Sequence, residues 1–123
     1  MTFILKAIKR YKTLVRSGMQ VFSVKAPAEL LSYVFDFIED LEHEEVIVGV
    51  VSSTMSLVSG PNPDNSSGML VGTATYSDTK VSQQIQGGTI NNRYRWTAVV
   101  KTNYGNHYTM TGDIPVVDPS LIN

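Results

Sequence analysis

The stretch Arg93–Thr102, RYRWTAVVKT, constrains this chain more than any other part of it. Tyr94, Trp96, Ala98 and Val100 fall on one face of a strand, and Arg93, Arg95, Thr97, Val99 and Lys101 on the other. That is the period of a β-strand with one face in a core. Asn103-Tyr104-Gly105-Asn106 then supplies a turn, because Gly and Asn accept positive φ. His107 to Val117 returns as the partner strand, with Pro115 tolerated near its end. A hairpin of this kind needs a second layer to cover Trp96.

The rest of the chain offers that layer. Tyr33, Phe35 and Phe37 alternate with Val34, Asp36 and Ile38, while Leu30, Leu31, Val34, Ile38 and Leu41 also allow a helix; extended structure over residues 31–37 is favoured, with a turn at Glu39-Asp40. Residues 45–52, EVIVGVVS, are rich in β-branched residues and read as a buried strand, and Leu57-Val58 as the start of another. Gly60–Gly68, GPNPDNSSG, is a loop by composition. Met69–Tyr76 resumes strand character, Ser77-Asp78 turns the chain, and Lys80–Gln86 is a polar strand anchored by Val81 and Ile85 before Gly87-Gly88. Short strands parted by turn clusters argue for an all-β fold, an immunoglobulin-like antiparallel β-sandwich. A sandwich this small wants one large ring between its sheets, so Trp96 is read as that ring rather than as a platform for a base or sugar. With 123 residues the chain is long enough for one such domain.

The N-terminal part is different. In FILKAIKRYKTLVR, Phe3, Ile4, Ala7, Ile8, Tyr11, Leu14 and Val15 recur at steps of three and four, which predicts an amphipathic helix over 3–16. Met19–Val24 reads as a short strand or linker. Six basic residues precede Pro27 (Lys6, Lys9, Arg10, Lys12, Arg16 and Lys25) with no acidic residue among them, and the remainder holds four basic and eleven acidic residues, a balance of -7. A basic arm thus joins an acidic body. The arm could meet nucleic acid, a membrane surface, a partner protein or its own domain. Five basic residues are few for nucleic acid beside an acidic body, so neither nucleic acid nor a membrane is expected as a partner. We expect Ile4, Ile8, Tyr11 and Val15 to dock on another subunit, with Lys9, Lys12 and Arg16 meeting carboxylates. On this reading the domains are 1–24 (arm and linker), 25–118 (sandwich) and 119–123 (tail), and deleting residues 1–18 leaves the sandwich folded.

Little in the sequence suggests catalysis. Cysteine is absent, and there is no G-x-S-x-G elbow or P-loop. His43 sits among Glu42, Glu44 and Glu45, a run read as a solvated acidic turn rather than a metal cluster, and His107 follows a turn. Consecutive carboxylates on a strand point to opposite faces and suit no acid/base pair. Asn65-Ser66-Ser67 matches a glycosylation sequon by chance. No apolar run approaches the roughly 20 residues of a membrane span, and no signal peptide is evident. The expectation is a non-enzymatic protein, without cofactor or metal, soluble and intracellular when made.

Two blocks carry a resemblance. Lys25–Phe37, K-A-P-A-E-L-L-S-Y-V-F-D-F, resembles the opening K-D-P-x-x-x-L-D-Y-x-F-D-W of the phage fiber-tail adaptor family, with Ala26 and Ser32 at Asp positions and Phe37 for Trp. Ile85–Gly105, I-Q-G-G-T-I-N-N-R-Y-R-W-T-A-V-V-K-T-N-Y-G, is similar to the family's GGT…Y…V…T…G ending. The N-terminal arm and the Gly60–Gly68 loop depart from the short family version. The resemblance implies a non-catalytic structural adaptor in a bacteriophage tail, linking tail or baseplate to fibers, with other virion proteins as partners. A sandwich has open edges and loops to offer to partners, so copies of the chain in a ring are expected as well. It carries over no functional residue. The other class considered is a carbohydrate- or host-surface-binding module that uses loops such as Gly60–Gly68.

Overall fold

A computed structural model of the chain describes residues 13–15 and 21–122. The described residues form seven strands in two sheets. The strands are β1 (Thr13–Val15), β2 (Leu31–Asp36), β3 (Ile47–Ser59), β4 (Leu70–Ser77), β5 (Lys80–Ile85), β6 (Arg93–Thr102) and β7 (His107–Pro115). One sheet has the order β1-β2-β5-β4 and the other β3-β6-β7. All pairs are antiparallel except β1 with β2, so the antiparallel expectation needs that correction.

The aromatic alternations read from the sequence meet between the sheets. From β2 and the residue beyond it come Tyr33, Phe35 and Phe37; from β6 come Tyr94, Trp96, Ala98 and Val100; all are buried. Phe35 stacks on Trp96 with ring centroids 3.9 Å apart and an interplanar angle of 10°. Phe22 lies near Trp96 at 6.1 Å and meets Tyr33 edge-on at 4.8 Å. Gly112, paired with Trp96 across the ladder, makes this possible. A Cβ there would stand 2.6 Å from Phe22 Cε2 and 2.7 Å from Leu14 Cδ1. The indole N–H donates to Ser53 Oγ at 2.9 Å, and Ser53 donates to Gln83 Oε1 at 2.9 Å. Gln83 Nε2 then reaches the carbonyl of Val71 at 3.1 Å. A polar thread therefore crosses the core and keeps each buried polar atom on it satisfied. Gln83 is buried inside a strand the sequence presented as polar.

The N-terminal region departs from the expected helix. Thr13–Val15 is a strand, pairing in parallel with Val34–Asp36, and Leu14 is buried between the sheets. A short helix gains little alone in water, whereas this edge offers a ladder and a core site for Leu14. The rest of the expected helix lies outside the described residues. Val21 and Lys25 then form isolated parallel bridges to Asp113 and Val116, and Phe22 enters the core. Leu14 and Phe22, both ahead of Lys25, are thus part of the sandwich interior.

Two further expectations change. Leu57-Val58 does not begin a new strand, because β3 runs unbroken for 13 residues. The last strand ends at Pro115, and Val116 continues only as a bridge.

Candidate docking surfaces

A candidate contact surface on a sandwich is made from its two ends and its open edges. At one end, the turn between β2 and β3 is stitched to the β6–β7 hairpin. Glu45 is buried and does most of the stitching. Its Oε2 accepts from Thr102 Oγ1 at 2.6 Å and Asn106 Nδ2 at 2.9 Å, and its Oε1 accepts from the Glu42 N–H at 3.0 Å. Asn103 adds a second link, accepting from the Val46 N–H at 2.9 Å and donating to the Glu44 carbonyl at 3.2 Å. Tyr104 donates to the His43 carbonyl at 2.7 Å. The acidic run is therefore not uniformly solvated: Glu42, His43 and Glu44 are exposed while Glu45 is a cross-brace.

The Thr102 hydroxyl foremost, then the Glu42 N–H, hold the Glu45 carboxyl below the ordinary glutamate range. A depressed carboxylate stabilises the fold above its unfolded pKa, about 4.3, and that stabilisation is lost as pH falls through the folded pKa. Glu45→Gln should therefore be less stable than the parent at pH 7, and the gap should close under acid. Urea titrations of both proteins at pH 7 and pH 3 check this; an equal gap at both values would show that the charge is not what braces the turns.

At the other end, the Gly60–Gly68 loop is tied down by asparagines. Asn92 accepts from the Asn62 N–H at 3.2 Å and Asn62 Nδ2 donates to the Ile90 carbonyl at 2.9 Å. The Tyr94 hydroxyl accepts from the Thr89 N–H at 2.9 Å and donates to Asn65 Oδ1. Gly60, at φ 137°, passes where a Cβ would lie 2.6 Å from Asn92 Cα, so no side chain fits there. Lys25 is fully buried nearby, and its ammonium donates to the carbonyls of Gly87 at 2.6 Å and Ala26 at 2.9 Å.

On the outer face of the β3-β6-β7 sheet, Arg93 and Arg95 grip one carboxylate. Arg93 Nε is 2.9 Å from Asp113 Oδ2, and Arg95 Nε is 2.7 Å from Asp113 Oδ1. Burial would push the Asp113 carboxyl up, but hydrogen bonds from Arg95 and then Arg93 outweigh it and hold the group below the ordinary aspartate range.

The sheet edges differ from one another. The edge of β7 is bridged by Val21 and Lys25. Among the described residues, the edge of β3 has no strand beside it in its sheet. Ile47–Ser59 contains no charged residue and no proline, the devices that commonly blunt an edge. It carries instead three register shifts, between Ile47 and Gly49, Val50 and Ser52, and Leu57 and Ser59. The residue left over at each is a valine: Val48, Val51 and Val58, exposed at 42, 51 and 40%. A bulge adds one residue to one strand, so each shift turns a valine outward. A continuous apolar run thus became a half-exposed edge, which the sequence reading took for a buried strand.

Of the expected docking residues, Ile4, Ile8, Lys9, Tyr11, Lys12 and Arg16 lie outside the described residues, and Val15 lies in β1. Trp96 sits in the core, as read from the sequence. Among the described residues no group of three or more His, Asp or Glu side chains is placed to hold a metal, and no helix is long and apolar enough to cross a membrane. The sequence reading missed Glu45, Gln83, Lys25 and the Arg93–Asp113–Arg95 clamp. Only the clamp left a signal, two arginines at i and i+2 on the outer face of β6.

Comparison with curated proteins and with solved structures gives no match. The family described as "Podophage GP4 fiber-tail adaptor protein gp77" matches over residues 25–115, from the buried Lys25 to the end of β7. That span takes in both blocks of the sequence resemblance and six of the seven strands, β2 to β7. The chain therefore belongs to the podophage fiber-tail adaptor family.

Proposed function

We propose that this protein is a non-enzymatic structural adaptor of the phage tail, connecting tail or baseplate to fibers through protein–protein contacts. Membership of the fiber-tail adaptor family carries this reading. The fold we propose is immunoglobulin-like. Its support is the strand order β1-β2-β5-β4 over β3-β6-β7, which is that of a constant-type immunoglobulin sandwich, and Tyr94 near the start of the sixth strand bonding back to Thr89, in the place of a tyrosine corner. The parallel β1 and a core Trp on the sixth strand depart from that pattern. The sugar-binding alternative gains little from the Gly60–Gly68 loop, since Asn62 and Asn65 spend polar atoms on Ile90, Asn92 and Tyr94.

The partners we propose are other virion proteins and copies of the chain in a ring, in a particle assembled within the host. The arm would supply one contact, with Ile4, Ile8 and Tyr11 against a neighbouring subunit and Lys9, Lys12 and Arg16 near carboxylates such as Glu42 and Glu44. Rim charges of this kind align partners more than they bind them. Val15 is left out, since it belongs to β1. A phage carrying a nonsense codon early in the gene should yield particles whose tails lack fibers, and mass spectrometry of parental particles should find the chain. Fully fibered particles made without it would overturn the adaptor reading.

A further inference from the structure

We propose that the open edge of β3 is a self-association surface, on which a second copy of this chain adds its own β3 antiparallel about a two-fold axis at Thr54. Between the register shifts at Val51 and Val58 the ladder to β6 is regular from Ser52 to Leu57. Over this run β6 is the sole strand paired with β3 among the described residues, so one side of its backbone still offers donors and acceptors. Such a row is a template for another strand.

Three observations select a second copy as the occupant. An edge paired with itself sets like residues together at the axis, and like charges there repel. Ile47–Ser59 has none. A two-fold axis through the sheet also keeps outer residues opposite outer residues, so the outer row must read alike in both directions. Opposite Arg95, Thr97 and Val99 of β6 stand Ser56, Thr54 and Ser52. Centred on Thr54, this row sets Thr54 against the second copy's Thr54, and Ser52 against the second copy's Ser56. Hydroxyl pairs of this kind favour cross-strand contact. The exposed valines supply the third observation. Val51 and Val58 bound the regular run, and the same pairing brings Val51 to the end of the run where the second copy's Val58 stands, covering apolar surface at both ends. The neighbouring edge strand β4, Leu70–Ser77, is also free of charge and proline, so it adds no repulsion as the two sandwiches approach. A contact of this type is isologous and joins copies in pairs.

The inference concerns the purified full chain and does not depend on the adaptor reading. Sedimentation velocity over a concentration series should show a monomer–dimer equilibrium. Thr54→Lys, which sets two ammonium groups face to face, should weaken it by about tenfold or more with an unchanged melting temperature. Thr54→Cys tests the geometry directly, because the chain has no cysteine of its own and directly opposed residues fall within disulfide reach. Under mild oxidation it should form a covalent dimer, while Val48→Cys, beyond the paired run, should not. A parent that stays monomeric throughout, a dimer that survives in folded Thr54→Lys, or Thr54→Cys cross-linking no faster than Val48→Cys would overturn the proposal. If Thr54→Lys fails to fold, the two cysteine variants decide it.

Discussion

Trp96→Ala should cost about 3–5 kcal/mol, the range for truncating a large aromatic ring in a close-packed core. The indole is fully buried, stacked on Phe35 at 3.9 Å, with Phe22 beyond. Its removal opens a void that Phe22 and Phe35 cannot both fill, because each is held on a different segment. It also strips Ser53 of the indole N–H, and with it one link of the thread to Gln83. Urea denaturation followed by circular dichroism measures the loss. A quenching experiment on the parent adds a check: the single Trp should resist acrylamide until the protein unfolds. Ready quenching in the native state would refute the packing described here.

Removing residues 1–18 should destabilise the sandwich, contrary to the expectation from sequence alone. The cut takes away β1 and with it Leu14, which packs against the inner layer beside Gly112. Losing a buried leucine alone costs about 2–5 kcal/mol, and the edge of β2 is uncovered as well. Removing residues 1–12 instead leaves β1 in place and should change the melting temperature little. Calorimetry on the two truncations separates these effects. If both melt like the parent, Leu14 adds nothing to the core. If the shorter truncation melts early too, residues 1–12 contribute to the body as well as to assembly.

Strand pairing decides which parts of the fold could be read in advance. The β6 and β2 alternations were legible because each strand buries one face and carries no bulge within the paired run, so period two survives in the sequence. β3 was read less well. Val48 and Val51 each shift the alternation by one, and within residues 45–52 those two shifts make an edge strand look like a continuous buried one. Thr13–Val15 could not be assigned locally, since Leu14 and Val15 also satisfy the helical spacing of Ile8 and Tyr11. The choice was made by a distant partner, Val34–Asp36. Glu45 was hidden for another reason. In a run of Glu42, His43, Glu44 and Glu45, no local pattern tells which carboxylate turns inward. That depends on Thr102 and Asn106, some sixty positions away. The docking surfaces follow the same division. Side-chain composition was visible, but an open edge is a property of the assembled sheet.

The parallel bridging of residues 21–25 along β7 bears on how the molecule responds to pulling. The Phe22 N–H bonds the Asp113 carbonyl at 2.8 Å, the Lys25 N–H bonds the Pro115 carbonyl at 2.9 Å, and the Val117 N–H bonds the Lys25 carbonyl at 2.8 Å. Because the two segments run in the same direction, tension drawn from the chain before Val21 and from the chain after Val117 slides one segment past the other. The three bonds then carry the load together and must fail together, whereas a hairpin pulled at its open end gives way one rung at a time. Under force, endurance is set by the unfolding rate rather than by equilibrium stability. A sandwich closed in this way resists shear along its own strands.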